Sequence, residues 1–179
     1  MPNWCSNSLV VKHSDPEMIK KFAEAVEAGN LLETFIPMPA ELRNTESPGV
    51  ENEELLEKYG ASDWYDWSIH NWGTKWDISE GYVSLDDDGS CTCSFETAWS
   101  PPLEAYQKLQ ELGFSIDAGY FESGMGFIGT WIDGEEDYIN DYYELFEDEE
   151  WEKSVDSEYI LDILQGEYEW WLQSKEEEE

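Results

Sequence analysis

The sequence has few basic residues: 9 lysines and arginines stand against 43 aspartates and glutamates in 179 residues, a formal net charge of −34. A chain with so few cations is expected to be repelled by nucleic acid and by anionic membranes. Long apolar runs are also missing, so no transmembrane helix is expected. The first residues lack the basic and then apolar pattern of a secretory signal. These absences predict a cytoplasmic protein that binds neither nucleic acid nor membrane directly.

Cysteine and histidine are scarce as well, with three cysteines (Cys5, Cys91 and Cys93) and two histidines. Few thiols in an odd number fit a reducing cytoplasm better than a disulfide scaffold. On a strand, Cys91 and Cys93 would face the same side, and with Cys5 and a histidine they could hold zinc. Small thiols buried in a core explain them more simply, so no metal or cofactor is predicted.

Aromatic residues are plentiful, with 10 Trp, 10 Tyr and 7 Phe in a chain that is 40% hydrophobic. This apolar content argues against disorder in spite of the charge. The length fits one domain of ordinary size with an appendage.

The acidic residues are unevenly distributed along the chain. Residues 1–132 carry 23 acidic and 7 basic residues, whereas residues 133–179 carry 20 acidic and 2 basic. The turn signal Asp133-Gly134 lies at this change in composition. We therefore predict a core domain over 1–132, with an insertion at about 40–80, and an acidic helical extension over 133–179.

The core region has the pattern of an α+β domain. Strands are predicted at 7–13, 81–85, 91–97, 114–122 and 126–132, with a short extended segment at 35–39. One helix is predicted after Ser14, the N-cap of a capping box with Glu17, another after Ser100, and a short one at 51–59. Two helices on one face of an antiparallel sheet give a ferredoxin-like architecture.

In the acidic region, apolar residues recur at helical spacing, first from Tyr138 to Phe146 and again from Val155 to Leu164, before Gly166. We predict two or three amphipathic helices whose polar faces are carboxylate. As a helical hairpin, they would carry about one charge per 2 Å, close to the value of about one per 1.7 Å for duplex DNA.

The segments 1–7 (MPNWCSN), 71–77 (NWGTKWD), 97–102 (TAWSPP) and 124–127 (GMGF), together with 36–39 (IPMP), form long, tryptophan-rich motifs. Through them, residues 1–132 resemble the Api-like (YubB-like) family of phage and plasmid proteins. The resemblance implies a ferredoxin-like fold and a mobile-element origin, and it implies no activity. The residues after Asp133 lie outside the pattern.

The leading hypothesis is a non-enzymatic phage or mobile-element protein that mimics DNA. It would inhibit a basic, nucleic-acid-binding host protein of bacterial defence or organisation, such as a restriction, CRISPR-type or nucleoid factor, by occupying its basic groove. The predicted contacts are all carboxylates: Glu135, Glu136, Asp137, Asp141, Glu144, Glu147, Asp148, Glu149, Glu150, Glu152, Asp156, Glu158 and Asp162.

A second hypothesis places a small-ligand or enzyme site in the tryptophan-rich loop at residues 71–77. There, Lys75 could be a cation–π partner or a nucleophile. The candidate pocket residues are Trp72, Lys75, Trp76, Asp77 and Trp99. Alternatively, a Lys75–Asp77 ion pair staples a loop over an aromatic core.

Two further explanations stay open. The protein could be an accessory factor whose acidity serves only solubility, or one adapted to high salt. Stacking of nucleic-acid bases on a sheet face would need a basic groove beside the tryptophans, and the sequence shows none. The oligomeric state is not predicted.

Overall fold

A six-stranded antiparallel sheet organises the protein in a computed structural model that describes residues 3–177. The outer ends of the two predicted regions, residues 1–2 and 178–179, lie outside the described residues. The strands lie in the order β2-β3-β1-β4-β5-β6. Their bounds are β1 (Trp4–Lys12), β2 (Tyr82–Leu85), β3 (Cys91–Ala98), β4 (Ser115–Glu122), β5 (Phe127–Ile132) and β6 (Glu135–Ile139).

Helices and two 3-10 turns connect and cover the strands. None of the helices within residues 3–177 is both long enough and apolar enough to cross a membrane. The α-helices are α1 (Pro16–Glu27), α2 (Leu31–Phe35), α3 (Glu53–Tyr59), α4 (Trp64–Trp72), α5 (Leu103–Glu111) and α6 (Glu158–Glu177). The 3-10 helices are η1 (Tyr142–Glu147) and η2 (Trp151–Ser154).

The predicted ferredoxin-like architecture is confirmed. The elements β1-α1-β2-β3-α5-β4 follow one another along the chain, with α2, α3 and α4 inserted before β2. β1 lies between β3 and β4 and pairs antiparallel with both. Both α1 and α5 pack on the same face of the sheet, as expected for the α+β class.

A large hydrophobic core, here called the first core, fills the space under α1 and α5. Strict alternation in β1 buries every second side chain and exposes the others. The helices contribute apolar residues at helical spacing, such as Ile19, Phe22 and Val26 in α1. The buried Asn7 is fully bonded there, since its amide donates to Thr97 Oγ1 (2.9 Å) and its oxygen accepts from Tyr106 (3.0 Å).

The start of α1 differs by one residue from the prediction. The N-cap is Asp15 rather than Ser14, and the Asp15 carboxylate accepts a hydrogen bond from the Glu17 N–H at 3.0 Å. Pro16 then takes the first helical position, where its missing N–H costs nothing. Aspartate caps a helix as well as serine does, so the capping-box spacing alone could not separate the two.

The insertion is more helical than predicted. Residues 31–35 form α2, a helix that the sequence did not predict, and only Phe35 of the extended segment predicted at 35–39 lies in it. Asn71 and Trp72, the first two residues of the tryptophan-rich loop predicted at 71–77, are the last two residues of α4. In α4, Trp67 and Trp72 are buried against each other, with ring centroids 5.4 Å apart. Burial of these large rings stabilises a helix whose sequence lacks a clean apolar stripe.

The acidic region does not begin with the predicted helix. Asp133 and Gly134 both have positive φ angles and form a two-residue hairpin turn from β5 into β6. Residues 138–146, predicted as helical, are divided between β6 and η1. The last predicted helix is present as α6, but it continues through Gly166 to Glu177.

A second hydrophobic core covers the opposite face of the sheet. It consists of residues from β5, η1, η2 and α6: Ile128, Tyr142, Phe146, Trp151, Val155, Ile160 and Leu164. α6 approaches β4 so closely that a Cβ at Gly119 would lie 2.2 Å from Cζ of Tyr159. The acidic region is therefore packed on the sheet rather than projecting from it.

Candidate functional site

The predicted contact carboxylates form one candidate site, here called the acidic surface. All thirteen side chains are exposed. They lie on β6, on the two 3-10 helices, in the short segments that join these elements to one another and to α6, and on the first turns of α6. The rings of Tyr142, Phe146 and Trp151 are buried directly beneath them. The acidic surface is therefore carried by an ordered scaffold with its own core.

Few basic side chains neutralise the acidic surface. Among the described residues, Lys153 forms an ion pair with Glu150, and Lys175 lies 4.0 Å from Glu147. No other member has a lysine or arginine nitrogen within 4.0 Å in that part of the chain. Exposed ion pairs of this kind contribute little to the free energy of folding and are weakened further by salt. Most of the charge is therefore free to act on a partner.

The layout of the charge differs from the predicted one. The carboxylates are spread over a strand, two short turns and one helix, so residues 133–177 do not form the helical hairpin used to compare their spacing with DNA. On α6, Glu158 and Asp162 are four residues apart and share one side of the helix. The carboxylates are exposed and negatively charged, as the prediction required, but they do not repeat at a regular, DNA-like spacing.

The second candidate, here called the tryptophan site, consists of Lys75, Trp76 and Trp99. Lys75 Nζ lies 4.6 Å from the ring centroid of Trp76 and 4.6 Å from that of Trp99. The Tyr65 ring is 6.0 Å away. A cation held between two indoles is a favourable cation–π arrangement. Lys75 is thus a cation–π partner, as one of the sequence alternatives predicted.

Asp77 and Trp72, the other two residues predicted for this pocket, have structural roles elsewhere. Asp77 does not pair with Lys75, so the predicted Lys75–Asp77 ion pair is wrong. Its carboxylate accepts hydrogen bonds from the N–H groups of Leu32 (2.9 Å) and Glu33 (2.8 Å) at the start of α2, and from that of Ile78 (2.9 Å). Burial raises the pKa of Asp77, and these bonds act in the opposite direction. Trp72 is buried, and its Nε1–H donates to the Ile36 carbonyl.

Trp99 has an unusual backbone conformation for a large residue. Its φ angle is 71°, in the left-handed region that favours glycine. Its N–H donates to the Asn3 carbonyl at 2.9 Å, which ties the end of β3 to the start of β1. The indole remains 43% exposed. Backbone strain of this kind persists where the surrounding structure holds the residue in one conformation, and here that conformation fixes the position of the Trp99 side chain.

An open cavity of about 500 Å³, here called the aromatic pocket, lies beside Trp99. The aromatic rings of Trp99, Phe127 and Tyr138 line it, and so does Glu122. Glu122 is only 2% exposed, and its carboxylate accepts the N–H groups of Gly124 (2.6 Å) and Met125 (2.8 Å). Sequence reasoning missed this pocket. The motif at residues 124–127 could have indicated it, because a tight turn follows directly after Glu122.

Segments that are distant in sequence meet at this end of the sheet. Trp4 lies 6.5 Å from Trp76 between ring centroids, and the Ser100 hydroxyl donates to the Gly73 carbonyl at 2.7 Å. The aromatic pocket adds Asn3 and Phe127. All four principal tryptophan-rich motifs of the sequence therefore contribute to one neighbourhood.

The cysteines are buried structural thiols. Cys5, Cys91 and Cys93 lie inside the sheet, each at most 1% exposed. Burial raises the pKa of Cys5 to about 12, so its thiol is unreactive at neutral pH. Within residues 3–177, no three histidine, cysteine or acidic side chains are grouped so as to hold a metal ion.

A family model described as the ferredoxin-like domain in Api92-like protein matches residues 71–161. The chain belongs to the Api92-like family. The match continues past Asp133 to residue 161. The sequence motifs had implied that the acidic segment lies outside the family pattern, but its residues up to 161 lie within the family's domain. It also contains the tryptophan site, β6 and the start of α6, while β1 and α1 precede it.

A solved structure of the Api92 protein from Yersinia pseudotuberculosis is similar to this chain. The two are 12% identical with a TM-score of 0.44, over 78% of this chain and 98% of the other. No curated protein matches the sequence. Membership of the Api92-like family thus gives the fold and no activity.

Proposed function

We propose that this Api92-like protein is a non-enzymatic inhibitor that binds a basic, nucleic-acid-binding protein through its acidic surface. The observation that supports the proposal is the exposure of all thirteen carboxylates on an ordered scaffold, with only two paired to lysine among the described residues. Such a surface attracts a basic groove over a long range and competes there with nucleic acid.

The proposed partner is a host protein of bacterial defence or organisation, such as a restriction, CRISPR-type or nucleoid factor. Its groove would carry lysine and arginine side chains placed for phosphates. A chain of net charge −34 has no electrostatic reason to bind the nucleic acid itself. The proposal therefore needs a partner that binds either this protein or nucleic acid, and not both together.

The experiment captures partners from a bacterial lysate and then measures binding with purified components. Two variants of equal charge change separate the acidic surface from bulk acidity. The first neutralises four of its exposed carboxylates, Glu144→Gln, Glu149→Gln, Asp156→Asn and Asp162→Asn. The control neutralises four exposed carboxylates elsewhere, Glu46→Gln, Glu51→Gln, Glu57→Gln and Glu111→Gln.

We expect capture of a nucleic-acid-binding protein at about 0.05 M salt and its loss at about 0.5 M. The first variant should weaken binding about tenfold, mainly through the association rate, and the control much less. Duplex DNA should displace the captured protein. Recovery of no nucleic-acid-binding protein at low salt would refute the proposal. If both variants weakened binding equally, binding would depend only on the net charge of the protein and not on the acidic surface.

A further inference from the structure

The aromatic pocket contains a buried acid without a basic partner. Glu122 is 2% exposed, yet no lysine or arginine nitrogen in residues 3–177 lies within 4.0 Å of its carboxylate. Glutamates are rarely buried so fully unless they are paired. Lys75, although close to Trp99, is not among the side chains that line the pocket.

The bonds that Glu122 does make leave room for a cation. One carboxylate oxygen accepts the Gly124 N–H and the other accepts the Met125 N–H. A carboxylate has about four acceptor positions, so each oxygen retains one. These remaining positions can accept N–H groups of a guanidinium, which carries five donors and no acceptor.

The aromatic rings that line the pocket are also suited to bind a guanidinium group. The rings of Phe127 and Tyr138 lie 6.0 Å apart between centroids, and the Trp99 indole forms another side. Planar guanidinium groups stack on aromatic rings more readily than ammonium groups do. Tyr138 and Trp99 are 48% and 43% exposed, so the pocket opens to solvent. Asn3 and Asn140 add amide groups to the lining.

We propose that the aromatic pocket binds the guanidinium of an arginine side chain, presented by a polypeptide partner, with Glu122 as its counter-charge. The net charge of −34 favours a cationic occupant. A polypeptide presents the guanidinium without a nearby free carboxylate, which this acidic protein would repel. The inference uses side chains outside the acidic surface, so its failure would leave the proposed function untouched.

The test is an NMR titration of the full chain with N-acetyl-arginine methylamide at about 0.15 M salt, where exposed charges are screened. The amides of Gly124 and Met125 and the indole of Trp99 report on the pocket. We expect saturable shifts there, with binding several-fold tighter than for the lysine analogue. The citrulline analogue, which has the same shape without the charge, should not bind.

Four variants test the pocket, and none of them changes a side chain of either hydrophobic core. Tyr138→Ala should weaken binding of the arginine probe about fivefold, whereas Tyr82→Ala, an exposed tyrosine on the opposite edge strand, should not. Glu122→Gln should remove the preference for arginine over citrulline. Lys75→Met should tighten binding about twofold, because a like charge near the Trp99 ring is lost.

Several results would overturn the inference. Equal binding of the citrulline analogue would show that the pocket does not recognise charge. Shifts spread over all exposed carboxylates, without saturation at Gly124 and Met125, would assign the binding to the general surface. Tighter binding of free arginine than of the capped residue would replace the polypeptide partner with a small molecule.

Discussion

Carboxylates serve different purposes in the two regions of this molecule. Before residue 133, many of them bond to the backbone. Asp15, Asp63 and Asp77 accept N–H groups at helix starts, and Glu122 accepts two in a turn. On the acidic surface most carboxylates bond to nothing among the described residues, and hydrophobic packing beneath them stabilises the region. A count of acidic residues thus says little until the partner of each is known.

The comparison also covers the two cores. The first core lies under α1 and α5 and draws on most of the elements before residue 133. The second core is smaller and uses a cluster of aromatic rings centred on Phe146, which lies 5.3 Å from Trp151 and 5.1 Å from Tyr168 between centroids. Both share one sheet, so the two regions should unfold together in spite of their different charge.

The largest expected effect on stability comes from removing a large buried side chain from either core. Phe22→Ala and Phe146→Ala remove fully buried rings of the first and the second core. Each should lower the free energy of unfolding by about 3–5 kcal/mol in urea titrations followed by circular dichroism. If Phe146→Ala cost less than about 1 kcal/mol, the acidic region would be an independent appendage and the comparison would fail.

A smaller loss is expected when a structural carboxylate is removed. Asp77→Ala deletes the acceptor of three N–H groups and should cost about 1–3 kcal/mol, since the α2 start is partly buried. Glu149→Ala on the acidic surface should change stability by less than about 0.5 kcal/mol. Similar costs for the two variants, measured by urea unfolding, would contradict the division of roles.

The third effect depends on pH and tests how α6 is packed. Burial raises the pKa of Tyr159 to about 12 from an ordinary value of 10.0. The unfolded chain therefore loses its proton first as the pH rises, and native stability falls between pH 10 and pH 12. Burial of Cys5, whose pKa rises from 9.0 to about 12, adds a decline that begins at lower pH.

Replacement of Tyr159 by phenylalanine should make this alkaline decline shallower and leave stability at pH 7 unchanged. Tyr82→Phe, at a position that is 71% exposed, is the control and should leave the profile as it is. Urea unfolding from pH 8 to pH 11 measures both. An unaltered profile for Tyr159→Phe would show that α6 does not bury this ring in solution.

The smallest effect concerns repulsion within the acidic surface. The variant with Glu144→Gln, Glu149→Gln, Asp156→Asn and Asp162→Asn should be more stable than the parent at low salt by about 0.5 kcal/mol. At about 0.5 M salt the difference should vanish, because exposed charges are screened. A loss of stability measured by thermal unfolding would mean that these carboxylates have structural partners.

Much of the first region could be predicted from the sequence because its pattern is regular. Alternation in β1 and helical spacing in α1 both reflect one buried face, and the strands predicted at 81–85 and 91–97 are present as β2 and β3. The boundary of the acidic region was predicted from composition, and its Asp133-Gly134 turn was identified without being assigned to a hairpin.

The rest could not be predicted for physical reasons. β6 is an edge strand with almost no buried side chain, so its sequence has no alternating pattern to indicate a strand. Lys75 and Asp77 are two residues apart in sequence, but Asp77 instead accepts the first N–H groups of α2, which have no partner within the helix. The role of Glu122 could not be predicted because its hydrogen-bond partners are backbone N–H groups, which leave no signal in the sequence.

The position of β6 has a consequence for self-association. An open strand edge offers unpaired N–H and C=O groups on which a second sheet can grow. β6 forms one open edge and carries Glu135, Glu136 and Asp137 in succession. Two copies meeting there would bring three carboxylates from each chain together. The other edge, β2, is only 4 residues long. Repulsion between these carboxylates should therefore disfavour growth of the sheet from β6 into aggregates.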